Sequence, residues 1–247
     1  MTLKEFFTQH SKAALAFSGG ADSAYLLYAG LGFGADIRPY YIKTAFQPQF
    51  ELDDAERLAG QLGIKLTVIE LDVLSHDEVK ANPANRCYYC KTALFTALQN
   101  RAKADGYSVL LDGTNASDDA SDRPGMKALC ELSVLSPLRL CGLTKDEIRS
   151  RSKEAGLFTW DKPAYACLAT RIPTGCAIDE EMLRKVENAE SALFRLGFSD
   201  FRVRVFHGAA RIQVPQSQME IAVRMADDIK KSLRPYFDTV LLDLNGR

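Results

Sequence analysis

The sequence has almost no surplus of charge: 31 lysines and arginines stand against 32 aspartates and glutamates, a net charge of −1 over 247 residues. That balance supplies no global field to hold a long nucleic acid by counterion release, although a local basic groove stays open. Long apolar runs are missing as well. Stretches such as residues 12–17 fall far short of the roughly 20 residues that span a bilayer, so no membrane contact is expected. Residues 1–10 mix Lys4 and Glu5 with Phe6 and Phe7 and lack the apolar stretch and small-residue cleavage site of an export signal, so a cytoplasmic location is expected. There is no internal repeat and no low-complexity tract, and 26% charged with 47% hydrophobic residues excludes a disordered or fibrous chain. Without an export signal, the six cysteines (87, 90, 130, 141, 167 and 176) read as thiols, ligands or nucleophiles rather than as a disulfide framework.

The length allows one to two domains with a real core. Residues 13–17 form an apolar run that leads into Ser18-Gly19-Gly20, after which Tyr25, Leu26, Leu27 and Ala29 recur at helical spacing. Further strands are expected at 37–43, 65–71 and 108–111, and helices at 49–62, 91–105 and 144–155, the last opened by a Thr144/Glu147 capping box. This alternation implies an α/β fold with a doubly wound, mostly parallel sheet over residues 1–158. Residues 72–89 lack a sustained period and read as a long loop. The stretch 159–177 reads as a linker that carries chemistry, and 178–247 as a smaller α+β domain with strands at 201–206, 210–214 and 239–244 and a helix at 217–233. Gly30, Gly32 and Gly34 follow a helix and read as its stop.

The chemistry-bearing feature is Ser18-Gly19-Gly20-Ala21-Asp22-Ser23 between a strand and a helix. Glycines there let backbone N–H groups approach an anion, and the helix N-terminus adds a favourable dipole. The sequence has no Gly-Lys-Ser/Thr of a Walker loop, and the bland alternative is a tight turn capped by Asp22. The hexapeptide resembles the signature of the PP-loop ATP pyrophosphatases, which cleave ATP between its α- and β-phosphates. The resemblance implies that Ser18, Gly19, Gly20, Asp22 and Ser23 hold the pyrophosphate part of ATP and that Asp22 helps to place Mg²⁺. By fold analogy Lys43 and Thr44 lie near the adenine. Asp112 ends a strand and, with Asp118 and Asp119, is a further candidate for Mg²⁺.

Three more segments narrow the family: residues 85–91 (Asn-Arg-Cys-Tyr-Tyr-Cys-Lys), Asp112-Gly113-Thr114-Asn115 with Arg123-Pro124-Gly125, and residues 162–173 around Cys167. In order and spacing these are similar to the LarE family of sulfur transferases of nickel-pincer cofactor synthesis, and Arg202-Val203-Arg204 with Ala210-Arg211-Ile212 extends the resemblance over nearly the whole chain. One departure is Gln213, where the family often carries an acidic residue. The resemblance adds Gly113 to the ATP site. It implies adenylation of a carboxylate on pyridinium-3,5-biscarboxylate mononucleotide, attack by sulfur on the acyl adenylate, and release of a thiocarboxylate and AMP. It also implies a small-molecule substrate, a sulfur donor as partner, no nucleic acid, and a homo-oligomer. In some members the sulfur is a cysteine's own, leaving dehydroalanine; in others three cysteines hold a four-iron four-sulfur (4Fe-4S) cluster that supplies sulfide. Cys167 matches the reactive cysteine, and Cys87 and Cys90 match the pair of the cluster-binding members.

Cysteine spacing bears on the same choice. Cys87-x-x-Cys90 gives two close thiolates, but zinc needs four ligands and neither Cys130/Cys141 nor Cys167/Cys176 repeats the spacing. Three cysteines on a cubane leave one iron open for a transferable sulfide; a Cys87–Cys90 redox pair serving persulfide chemistry and inert structure are the other readings. Cys176 is a rival nucleophile outside the matching motif, while Cys130 and Cys141 read as small core residues. Arg86, Arg123, Arg171 and Arg204 are candidates for the substrate's phosphate and carboxylates, because a guanidinium offers a planar bidentate fork. His207, before Gly208, reads as a turn residue. A tRNA thiolase of the same superfamily and a non-catalytic nucleotide or iron–sulfur binding module are the competing functions.

Overall fold

The computed structural model describes residues 1–118 and 124–247. They form two compact units, one of residues 1–73 with 85–162 and one of residues 74–84 with 163–247.

In the first unit β1 (Lys12–Ala16), β2 (Asp36–Lys43), β3 (Thr67–Glu70) and β4 (Leu110–Leu111) pair in parallel, in the order β3-β2-β1-β4. The helices of this unit are α1 (Leu3–Gln9), α2 (Ala21–Gly32), α3 (Gln49–Gln61), α5 (Arg86–Ala104), α6 (Pro124–Glu131), α7 (Pro137–Leu140) and α8 (Lys145–Glu154). Side chains alternate across a strand, and both faces of this sheet are covered. Ala13, Leu15 and Phe17 enter one apolar cluster with Leu26 and Leu27 of α2, whereas Ala14 and Ala16 enter a second with Leu98 and Ala102 of α5. The expected doubly wound parallel sheet is therefore present. Its strand order reverses between β1 and β4, and that switch point is where an open α/β sheet leaves a crevice beyond its strand ends.

The expected loop at 72–89 is largely helical. It contains a turn at Val73–Ser75 and α4 (Asp77–Lys80), and α5 begins at Arg86 rather than near residue 91. Asn85 is the N-cap of α5, so Cys87 and Cys90 sit three apart within the first five residues of a long helix. The glycines after α2 also divide their roles. Gly34, at φ +79°, fits a helix stop, but Gly30 is a packing residue: a Cβ there would lie 2.0 Å from Ile37 Cδ1 and 2.9 Å from the Phe7 ring.

The second unit sets α9 (Glu180–Arg195) against a three-stranded sheet of β5 (Arg202–Phe206), β6 (Ala209–Gln213) and β7 (Val240–Leu242). The β5–β6 pair is antiparallel and turns through His207 and Gly208, both at positive φ as a tight hairpin requires; β6–β7 is parallel. The expected helix at 217–233 is broken at Met225 into α10 (Met219–Arg224) and α11 (Ala226–Leu233). Residues 74–84 join this unit through Asn82, which is buried at positive φ and whose amide donates to the Pro173 and Cys176 carbonyls at 2.9 and 3.1 Å. Among the described residues no helix is long and apolar enough to cross a membrane.

Gly30→Ala is expected to overpack the contact with Ile37 and Phe7 and to lower stability by roughly 1–3 kcal/mol. Urea unfolding checks this, and an unchanged midpoint would show that the side chains move aside freely.

Candidate active site

The first unit carries the loop Ser18–Ser23 at the carboxyl end of β1. Gly19 takes φ +69°, and a Cβ on it would lie 3.0 Å from that of Ala55, so both its conformation and its space call for glycine. Ser23 Oγ lies 3.1 Å from Ser18 Oγ and donates to Gly20 O at 3.3 Å, while Ser18 Oγ accepts from Gly20 N. These bonds tie the loop to itself. The N-cap of α2 is Gly20, which has no side chain to cap the first turn, as an anion site at the leading amides would need.

A cavity of about 340 Å³ opens here, lined by the loop residues Ser18, Gly20, Asp22 and Ser23, by Tyr41 and Ile42 of β2, by Lys91 and Phe95 of α5, and by Asp112, Gly113 and Asp118 after β4. Gly113 passes so close to the loop that a Cβ on it would lie 3.0 Å from Ser23 N. Lys43 and Thr44 do not line the cavity: Lys43 Nζ donates to Gln47 O, and the Thr44 hydroxyl donates to Gln47 Oε1. The β2 end instead contributes Ile42, the turn after it Gln47, and the first turn of α3 Glu51.

Charge in this cavity is arranged around Asp22. Its Oδ2 receives Lys145 Nζ at 2.5 Å, whereas Oδ1 is buried without a hydrogen-bond partner among the described residues. An orphaned carboxylate oxygen beside an anion site fits a hard divalent cation, which is commonly held by one or two carboxylates together with substrate phosphates. Asp112 is occupied by its own turn, accepting from Thr114 N and Thr114 Oγ1. Asp118 Oδ2 accepts from Asn115 N. Lys91 and Lys145 are the residues that sequence reasoning missed. Lys145 follows an N-cap visible in the sequence, but nothing local pairs it with an aspartate 123 positions away.

On α5, Arg86 is buried, packs over Phe46 at 5.9 Å and places Nη2 3.7 Å from Cys87 Sγ. Cys87 is exposed and Cys90 half-buried. Cys130 is exposed, which corrects its reading as a core residue; Cys141 is half-buried against the core, and that burial pushes its thiol pKa up. Arg123 and Asp119 lie outside the described residues.

In the second unit Cys167 is half-buried at the N-cap of a single 3-10 turn, Leu168–Arg171. Guanidiniums grip the backbone around it. Arg202 Nη2 donates to Ala164 O at 2.7 Å, Arg171 Nη1 to Ala166 O at 2.8 Å and Cys167 O at 3.5 Å, and Arg204 Nη1 to Thr170 O at 2.5 Å. Arg171 is 1% exposed, and every nitrogen of its guanidinium meets an acceptor of the chain, Nε and Nη2 both going to Glu190. Burial works to lower its pKa, but the bonds and charge of Glu190 outweigh it and hold the proton more firmly than usual. For Arg204 burial, then the charges of Arg171 and Arg211, act to lower the pKa. Gln213 accepts from Arg204 Nε and donates to Asp243 Oδ2, so this departure from the acidic pattern serves as a bridge between a cation and an anion. Cys176 is exposed. Among the described residues no group of three or more His, Cys, Asp or Glu side chains is placed to hold a metal ion; of the expected cluster ligands, Cys87 and Cys90 belong to the first unit and Cys167 to the second.

No family model matches the chain. An uncharacterised protein of Synechocystis sp. is 37% identical over 250 aligned positions, spanning 99% of this chain and 92% of that protein. The pyridinium-3,5-bisthiocarboxylic acid mononucleotide synthase of Lactiplantibacillus plantarum is 32% identical over 238 positions, 95% of this chain and 86% of that enzyme. The tRNA-specific 2-thiouridylase MnmA of Thermotoga maritima is 24% identical over 188 positions, covering 59% of this chain and 52% of that protein.

Gly113→Ala is expected to push the Ser23 amide out of the loop and to weaken ATP binding by at least about tenfold, since amide donors must sit within hydrogen-bond range of the phosphate. Titration calorimetry with ATP is the check. Wild-type affinity in a folded variant would mean that the close approach has no part in nucleotide binding.

Proposed function

The chain belongs to the LarE family of ATP-using sulfur transferases, and from that premise we propose that it converts a carboxylate of pyridinium-3,5-biscarboxylate mononucleotide to a thiocarboxylate for nickel-pincer cofactor synthesis. The observation that carries this reading is the match to the Lactiplantibacillus plantarum synthase over 95% of the chain, which takes in both the Ser18–Ser23 loop and the Cys167 segment. The match to the tRNA thiouridylase covers only 59%, and a net charge of −1 gives long RNA no general attraction.

In the first half-reaction ATP occupies the cavity at the β1 end, with its phosphates on the Ser18–Ser23 amides and the α2 N-terminus. A substrate carboxylate oxygen attacks the α-phosphorus, the bond to the bridging oxygen breaks, and pyrophosphate leaves an acyl adenylate. Asp22 Oδ1 is the atom that would hold Mg²⁺, which offsets the charge of the departing pyrophosphate. Lys145 and Lys91 bring positive charge to the same phosphates. Arg86, Arg123 and Arg204 bind the substrate's phosphate and remaining carboxylate.

In the second half-reaction the Cys167 thiolate attacks the acyl carbon. The carbon–oxygen bond to AMP breaks, leaving a thioester. Removal of the Cys167 α-proton with cleavage of its Cβ–S bond releases the thiocarboxylate and leaves dehydroalanine. In the other route that the family resemblance implies, Cys87, Cys90 and Cys167 would hold a four-iron four-sulfur cluster that would supply the transferred sulfide in place of the cysteine's own sulfur. The enzyme works in the cytoplasm as a homo-oligomer.

The test supplies ATP, Mg²⁺ and the pyridinium dicarboxylate mononucleotide and follows pyrophosphate and thiocarboxylate together. Cys167→Ala is expected to keep pyrophosphate release and make no thiocarboxylate, and Asp22→Asn to slow pyrophosphate release by at least about tenfold. Release that depends on RNA would overturn the substrate assignment. Iron and labile sulfide in anaerobic protein, lost in Cys87→Ala and Cys90→Ala, would replace the sacrificial route by a cluster route.

A further inference from the structure

The segment around Cys167 has the Leu168–Arg171 turn as its only regular element, yet its carbonyls are among the most strongly held groups of the second unit. Arg171 Nη1 reaches Ala166 O, Cys167 O and the Thr170 hydroxyl, and the same hydroxyl donates to Cys167 O at 2.8 Å. The other side of the guanidinium is locked by Glu190, itself 2% exposed: Oε1 accepts Arg171 Nε at 2.8 Å and Val203 N at 2.9 Å, and Oε2 accepts Arg171 Nη2 and the Tyr165 hydroxyl. The fork is thus oriented by α9, by β5 and by the cysteine segment at once. Lysine could not reproduce this, since a single ammonium cannot span both a carboxylate and two successive carbonyls in one plane.

We infer that Arg171 is a positioning residue for Cys167: held by Glu190, its guanidinium fixes the Ala166 and Cys167 carbonyls and with them the backbone that carries the thiol, and it does not bind substrate. The inference rests on Cys167 as the sulfur donor and assigns Arg171 a role different from the substrate contact expected of it. The charged and titratable groups facing Arg171 are Glu190 from α9, Tyr165 and Cys167 from its own segment, Arg202 and Arg204 from β5, and Arg247. Buried charge also explains why the pair must be treated as a unit: removing one partner leaves an uncompensated ion in the interior.

The experiment is therefore made on the full chain with Arg171→Met combined with Glu190→Gln, which removes both charges while keeping an acceptor oxygen for Val203 N and offering the Tyr165 hydroxyl an N–H donor, and with Arg171→Lys, which keeps the charge and loses the fork. Pyrophosphate and thiocarboxylate are followed together against mononucleotide concentration. Both variants are expected to keep pyrophosphate release and the KM for the mononucleotide and to lose thiocarboxylate formation by roughly tenfold or more. A KM raised tenfold with thiocarboxylate still formed for each pyrophosphate released would overturn the inference, as would wild-type kinetics in both variants. Should the variants not fold, phenylglyoxal labelling of the wild-type protein decides it: Arg171 is expected to stay unlabelled with or without the mononucleotide, and labelling that the mononucleotide prevents would make it a substrate ligand. A wild-type protein that forms no thiocarboxylate defeats the proposed function, whereas the phenylglyoxal labelling still judges the role of Arg171.

Discussion

Burial of both faces of the four-stranded sheet is the constraint from which the first unit follows. Odd residues of β1 pack toward α2 and even ones toward α5, so the middle of the strand, residues 13–15, is closed to a polar ligand. Chemistry is pushed to the strand ends, and the reversal of strand order between β1 and β4 decides which ends leave room. The tight passages there are consequences of that crowding. Gly19 beside Ala55 and Gly113 beside Ser23 N bring backbone to backbone where any side chain would hold them apart, and the cavity walls acquire amide groups in place of side chains.

Charge within that cavity is balanced locally rather than by solvent. Lys145 neutralises one oxygen of Asp22 and leaves the other buried and unsatisfied, an arrangement that is costly in a resting protein and useful only if a cation arrives. The ion pair and the incoming anion also compete for Lys145. In the proposed reaction, a phosphate that drew Lys145 away would free both oxygens of Asp22 for the divalent ion, coupling the two through a single carboxylate.

What could be read from the sequence was what is local. The strand, glycine loop and helix over residues 12–32 and the Thr144/Glu147 capping box are specified by neighbours a few positions apart, and they stand where the pattern put them. The start of α5 was misplaced because Arg86-Cys87-Tyr88-Tyr89 has no amphipathic period to mark the boundary. Pairings across 123 residues, as between Asp22 and Lys145, leave no local trace. Glu190 did leave one: on α9 it falls between Val186 and Leu193 at the spacing of the buried face, and a carboxylate at a core position calls for a buried cation. Reading that exception would have led to Arg171.

The same exception explains what kind of interaction holds the cysteine segment. A buried ion pair contributes little net stability, because the cost of desolvating both ions offsets most of their attraction. A hydrophobic pair at 171 and 190 would fill the same space more cheaply, but it would leave the Ala166 carbonyl, the Val203 amide and the Tyr165 hydroxyl without these partners. Arg171 and Glu190 are thus better understood through the directions they impose than through the energy they add. Four carbonyls between residues 164 and 170 are each held by a guanidinium whose own position is set by α9, β5 or β6. With so little regular structure of its own, the segment that presents Cys167 takes its shape from those arginines.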